Sequence, residues 1–222
     1  MYSKKLLVFD WDGTLMDSET RIVNCLRAAI HDAGLPERDN EQLKNVIGLG
    51  LREALHALFP DGDEASLQKL VDGYRHHFLH EDQTPSELFD GVHEMLLALN
   101  DTGYFLAIAT GKGRVGLEHA LQQSGVRELF HATRCADETR SKPHPQMLDE
   151  LIDYFGVEPE HAVMIGDTEY DLLMASNAGT HSVAVSYGVH SRDRLLQHKP
   201  LACVDNTNQL HSWINRYVSH ES

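Results

Sequence analysis

LLVFDWDGTL, residues 6–15, is the stretch from which the rest of the chain is read. Four apolar residues, Leu6 to Phe9, run straight into Asp10, an aromatic, a second acid at Asp12, and then Gly13 and Thr14. A run that is apolar at every position, rather than at alternate ones, fits a strand buried on both faces of a parallel sheet. Two carboxylates two positions apart at the end of such a strand repel each other, so a cation or a phosphate is expected there. The rest of the chain must supply its other ligands.

Further runs of the same kind recur at FLAIA (105–109), AVMI (162–165), SVAV (182–185) and ACV (202–204). Between the later ones lie helical spacings: Val92, Met95, Leu96 and Leu99, then Leu148, Leu151, Ile152 and Phe155, each at i, i+3, i+4, i+7. Apolar strands alternating with amphipathic helices predict an α/β fold, a doubly wound, Rossmann-like parallel sheet covered on both faces. The first gap breaks the rhythm, because some 95 residues separate the opening strand from the next. That stretch reads as helical, with a stripe of Ile22, Leu26, Ala29, Ile30 and Ala33 and further helices near 40–47, 51–58 and 64–80. Turn signals at Gly34-Leu35-Pro36, Pro60-Asp61-Gly62 and Thr84-Pro85-Ser86 divide it. The expectation is an all-α cap over 17–86 inserted into a core of 1–16 and 87–222, with hinges near Leu15 to Asp17 and Thr84 to Leu88.

Composition narrows the partners. With 41% apolar and 24% charged residues the chain is expected to be globular, and no apolar run is long enough to cross a bilayer. Nineteen Lys and Arg against 34 Asp and Glu give a net charge of −15, which opposes binding to nucleic acid or anionic lipid. An anionic substrate would need a metal or placed cations. Three widely spaced cysteines, Cys25, Cys135 and Cys203, suit a reducing compartment, so a cytoplasmic protein, a monomer or small homo-oligomer, is expected.

Ligands of open α/β sheets bind at the carboxyl ends of the strands. Asp10, Asp12, Gly13 and Thr14 follow the first run; Thr110, Gly111 and Lys112 follow FLAIA; Gly166, Asp167, Thr168 and, one turn on, Asp171 follow AVMI. Lys142 lies in RSKPHP, before a helix that Pro143 or Pro145 would start. Singly, each has an ordinary explanation, such as a helix N-cap for Asp167 or Thr168. Together they place an acid pair, a hydroxyl, a lysine and a second acid pair in one crevice. Asp10, Asp12 and Asp167 would crowd three carboxylates there, which an oxygen-coordinated Mg²⁺ would relieve. Thr110 and Lys142 supply the donors that a transferring phosphoryl group needs.

FDWDGTL, IATGK, SKP and GDTEYD, in that order, resemble the four signature motifs of the haloacid dehalogenase superfamily, specifically its phosphoglycolate phosphatase-like members with a helical cap after the first motif. The resemblance covers essentially the whole chain. It implies a phosphatase acting on a small anionic phosphorylated metabolite, phosphoglycolate or a sugar phosphate. Asp10 would be the nucleophile and Asp12 the general acid and base. Thr110 and Lys142 would hold phosphoryl oxygens, with Gly13, Thr14, Gly111 and Lys112 around them. Asp10, the Asp12 carbonyl and Asp167 would ligate Mg²⁺, and Asp171 would support that shell or bind Lys142. Related phosphatases often carry Asn where this chain has Gly111.

Two other readings share parts of the pattern. A phosphomutase uses the same chemistry, although such enzymes often have Gly-Val at Gly13-Thr14. A receiver-like signalling domain also gathers Asp, Thr, Lys and Mg²⁺, but it is about half this length and lacks a cap. VIGLGLREAL (46–55) is the expected loop between cap helices, where Arg52 would meet an anionic substrate group. His76 and His80, at i, i+4, are read as a solvated helical face rather than a metal pair.

Overall fold

Leu6–Phe9 forms β1, the strand from which the sheet is built outward. The computed structural model describes residues 5–219, so residues 1–4 and 220–222 of the expected core lie outside the described residues. Parallel partners flank β1 on both sides: β4 (Phe105–Thr110) on one and β6 (Ala162–Gly166) on the other. Beyond β4 lies β5 (Ala132–Cys135), and beyond β6 lie β7 (His181–Val185) and β8 (Ala202–Val204). All five pairings in this six-stranded sheet are parallel.

Alternate side chains of β1 enter different cores, which is why no position in it is polar. Leu7 and Phe9 pack with α5 (Val92–Asp101), α6 (Arg114–Ser124) and α9 (Thr207–Ser219), while Leu6 and Val8 pack with α7 (Gln146–Phe155) and α8 (Glu169–Ala178). Pro145 stands just ahead of α7, where its missing N–H costs nothing. Full burial of each such Leu or Val contributes about 1.5–3 kcal/mol, so both faces favour the sheet strongly.

Helices fill the long first gap: α1 (Glu19–Asp32), α2 (Asn40–Asn45), α3 (Leu51–Leu58) and α4 (Glu64–His76), the last running into a π-helical turn at His77–Glu81. Asp39 caps α2 through a reciprocal box with Gln42, and Asp63 caps α4 by accepting from the Ser66 N–H. Ile22, Leu26, Ala29 and Ile30 of the expected stripe join Leu43, Leu55 and Leu70 in an apolar cluster of their own. The chain crosses between helices and sheet through a short antiparallel ribbon of β2 (Met16–Asp17) and β3 (Glu87–Leu88). Helix α3 starts at Leu51, so the irregular segment is 46–50 and not the whole of 46–55. β5 was not expected from the sequence at all.

Candidate active site

The register of the sheet assembles the site. Phe9 is paired with Ile108 on one side and Ile165 on the other, so the next residue, Asp10, is level with Ala109 and Gly166, one position before Thr110 and Asp167. Its backbone N–H still donates to the Ile165 carbonyl at 2.9 Å. Asp10 Oδ1 accepts from the Trp11 N–H at 2.7 Å and faces Lys142 Nζ at 2.8 Å. Asp10 Oδ2 is buried and, among the described residues, has no hydrogen-bond partner. Lys142 Nζ also bonds Asp171 Oδ1 at 2.6 Å, and both side chains are fully buried. The second Asp171 oxygen accepts from the Thr168 N–H at 3.1 Å and hydroxyl at 2.7 Å, which fixes it at the start of α8.

Asp167 is held from two directions. Thr14 Oγ1 donates to its Oδ1 at 2.9 Å, and the Val189 N–H donates to its Oδ2 at 2.8 Å. Carboxylate oxygens of Asp10, Asp167 and Asp171 lie within 4.8 Å of one another. The third acid of this cluster is therefore Asp171 and not the Asp12 side chain expected from the sequence. Asp12 turns away because Ser18 Oγ donates to its Oδ1 at 2.7 Å and Lys112 Nζ pairs with its Oδ2 at 3.0 Å.

Electrostatics follow from this crowding. Burial pushes the Asp10 carboxyl well above the usual range against the pull of Lys142, and the charges of Asp171 and Asp167 add to the rise. Burial, then Asp171, pushes Asp167 up to about 7. Lys142 is drawn down by burial, yet Asp10 and Asp171 more than offset this and its ammonium is raised. One ammonium cannot satisfy this many carboxylate oxygens, and Asp10 Oδ2 is left bare. A hard cation fits that oxygen set: Asp10 Oδ2 has no donor, whereas both oxygens of Asp167 and both of Asp171 already accept at least one, and Lys142 holds only Asp10 and Asp171.

Gly13 is fixed by the same packing. Its φ is +80°, and a Cβ there would stand 2.2 Å from Asp167 Oδ2. Gly13→Ala is expected to cost about 2–3 kcal/mol from left-handed backbone strain and displacement of Asp167, measured by urea unfolding.

Asp10, Asp12 and Thr110 open into a cavity of about 440 Å³ roofed by the helices. The segment 45–50 is seated on the sheet domain by the Gly50 N–H donating to Ser141 Oγ at 2.7 Å and by Tyr170 OH donating to the Asn45 carbonyl at 2.7 Å. Arg194 Nη1 reaches Asn45 Oδ1 at 2.6 Å. A Cβ at Gly111 would meet the Leu49 and Gly48 carbonyl oxygens at 2.4 and 2.6 Å. A side chain larger than hydrogen there is incompatible with this seat, which is the physical reason for glycine at position 111.

A model of the haloacid dehalogenase-like hydrolases matches residues 7–185. The chain belongs to that family. It is a hydrolase of the phosphatase type, similar along nearly its whole length to phosphatase relatives. Probable phosphatase IndB of Dickeya dadantii (strain 3937) is 33% identical over 213 residues, covering 93% of this chain and 92% of that one. Pyrophosphatase PpaX of Bacillus cereus (strain AH820) is 31% identical over 206 residues, covering 92% and 93%. Among solved structures, a predicted phosphoglycolate phosphatase from Haemophilus somnus 129PT superposes with a TM-score of 0.83 at 26% identity, covering 93% of this chain and 96% of that one.

In this haloacid dehalogenase-like hydrolase the sequence-named residues divide into groups. Asp10, Lys142, Asp167 and Asp171 meet directly, and Thr110 lies at the cavity floor with its Oγ1 accepting from the Lys112 N–H at 3.1 Å. Gly13 and Thr14, expected around phosphate, do not line the cavity; Thr14 bonds Asp167 instead. Lys112 lies beside Asp12 and 4.3 Å from the Phe78 ring centre. Arg52 reaches the cavity rim, but its guanidinium is engaged by Glu64 and, at 3.0 Å, by Gln68. The sequence reading missed Ser18, Ser141 and Val189. Val189 follows the strand end at SVAV, so inspecting that end as the others were inspected would have found it. His76 pairs with Glu81 at 3.3 Å on an exposed face. Burial pushes the Cys25 and Cys135 thiols up to about 12, which removes both as nucleophiles at neutral pH.

Proposed function

We propose that the chain is a Mg²⁺-dependent phosphatase that hydrolyses small phosphorylated metabolites through an aspartyl-phosphate on Asp10. The observation that carries this reading is Asp10 itself, a buried carboxylate at a cavity floor with one oxygen fixed by Lys142 and Trp11 and the other bare. The Asp10 carboxylate attacks phosphorus and the ester P–O bond breaks, with the leaving oxygen taking a proton from the Asp12 carboxyl. Water then attacks the same phosphorus, giving its proton back to Asp12, and inorganic phosphate and the Asp10 carboxylate are regenerated. Thr110 Oγ1 and Lys142 Nζ stabilise charge on the phosphoryl oxygens. Asp10, Asp167 and the Asp12 carbonyl would hold Mg²⁺, which supplies positive charge to the phosphoryl group when bound; Asp171 keeps Lys142 in place.

Residues 17–86 act in this reading as a cap that excludes water and sets substrate choice. The cytoplasm suits a chain with three free cysteines and no helix, among the described residues, long and apolar enough to cross a membrane. Phosphoglycolate and sugar phosphates are the first metabolites to assay. Release of phosphate from 4-nitrophenyl phosphate only with Mg²⁺, and its absence with EDTA, tests the proposal; Mg²⁺-independent hydrolysis of equal rate overturns it.

Metal addition also has a stability signature. The Asp167 carboxyl, at about 7 in the fold against 3.8 ordinarily, binds its proton more tightly folded than unfolded. The metal-free chain therefore loses stability as pH rises from about 4 to 7. A divalent cation takes the place of that proton. Mg²⁺ at a hundred times its Kd is expected to add about 2.7 kcal/mol near neutral pH, with a larger rise in Tm at about pH 8 than at about pH 6, read by scanning calorimetry.

A further inference from the structure

Above Asp10, Asp12 and Thr110 the cavity wall is mostly apolar: Leu26, Ile47, Leu49, Tyr74 and Leu79 of the helical layer face the space, and Val115 and Ala136 of the sheet domain complete it. Three cations line the cavity, and two of them are paired. Lys112 pairs with Asp12 at 3.0 Å, and Arg52 is engaged by Glu64 and Gln68. Arg75 is exposed, and the acids Asp12, Glu53 and Asp137 line the same cavity. Away from the exposed Arg75, a second carboxylate or phosphate on the substrate would enter a mostly apolar chamber that already carries Asp12, Glu53 and Asp137, which is costly. The volume, about 440 Å³, exceeds what a phosphoryl group with a two-carbon acid fills. Tyr74 adds one polar feature. Among the described residues its hydroxyl makes no hydrogen bond, and burial, then the Asp12 charge, pushes its phenol well above the ordinary range, so it stays a neutral donor.

We propose that the group released from phosphate in this chain is an apolar, ring-sized alcohol with no second anionic charge. The proposal deepens the phosphatase reading and rests on it. Apolar walls reward burial of a ring face, and the Tyr74 hydroxyl offers one donor to a polar atom on that ring.

Two non-hydrolysable phosphonates test the pocket without requiring turnover. Calorimetric titration with Mg²⁺ present compares 3-phenylpropylphosphonate, the analogue of 2-phenylethyl phosphate, with 3-phosphonopropionate, the analogue of phosphoglycolate. The ring-bearing ligand is expected to bind about 10-fold or more tightly, a difference of about 1.4 kcal/mol. Equal affinity, tighter binding of the carboxylate or no binding of either overturns the inference. Leu79→Lys, at a half-buried wall position, is expected to cut that ratio about 10-fold by placing a free cation in the chamber; an unchanged ratio also overturns it. Phosphate release from 2-phenylethyl phosphate is measured separately. If none appears while the binding ratio holds, the hydrolytic reading fails and the pocket assignment survives. If phosphate is released from both esters but the ratio is inverted, only the pocket assignment fails.

Discussion

Asp10→Asn is expected to abolish phosphate release, by about 10³-fold or more, while leaving the chain folded and its Tm equal or higher. The substitution is nearly isosteric, and the amide oxygen still accepts from the Trp11 N–H that holds Oδ1 at 2.7 Å. What disappears is the nucleophile and one negative charge. Burial and the neighbouring Asp171 and Asp167 already push the Asp10 carboxyl well above its usual range, so its charged form is a burden on the fold near neutral pH. Removing the charge relieves that burden, and Lys142 retains Asp171 at 2.6 Å. Loss of activity with unchanged or raised stability marks a residue kept for chemistry at the fold's expense. A variant with parental activity would rule out the aspartyl-phosphate route; one that unfolds would show that Asp10 is structural.

Lys142→Met is the opposite case, in which activity and stability fall together. The lysine has no exposed side-chain surface and bridges Asp10 and Asp171. Methionine fills most of the stem's volume but leaves two buried carboxylates without a counter-charge, a loss of about 3–5 kcal/mol. The sign of the pH response separates charge from packing. The stranded carboxylates recover neutrality by taking up protons, so the variant's deficit should shrink as pH falls from about 8 toward 5, followed by denaturant unfolding at each pH. A deficit independent of pH would mean that lost packing, not lost charge, destabilises the variant. Phosphate release should fall by about 10²–10³-fold, since the ammonium also serves the phosphoryl oxygens.

Much of the site was legible because its chemistry is concentrated at strand ends. FDWDGTL, IATGK, SKP and GDTEYD each place a polar group directly after an apolar run or before a helix, and the parallel register does the rest. What could not be read is how side chains turn. Asp12 and Asp171 are both acids near Asp10, and only packing decides that Ser18 and Lys112 draw the first away while Lys142 and Thr168 hold the second in place. Thr14 was assigned to phosphate by its neighbours in sequence, but its hydroxyl lies on Asp167. β5 escaped because it is an edge strand: Ala132, Thr133 and Arg134 are only half-buried, and Arg134 pairs with Glu150 at 2.6 Å, so no apolar run marks it. Arg52 illustrates the limit for surface charge, since Glu64 and Gln68 claim it from another helix.

The ribbon of Met16–Asp17 and Glu87–Leu88 places the two chain crossings side by side, with Asp17 opposite Glu87. Residues opposed in an antiparallel pair lie about 5 Å apart, close enough for a two-residue turn to join them as a hairpin. The chain thus enters and leaves the helical segment through a single clasp, although Gly50 and Asn45 also rest on Ser141, Tyr170 and Arg194. Exchanging that segment for another of different wall chemistry would leave the threading of the sheet unchanged. Diversification of such chains can proceed by swapping what hangs on the clasp while the strand order stays the same.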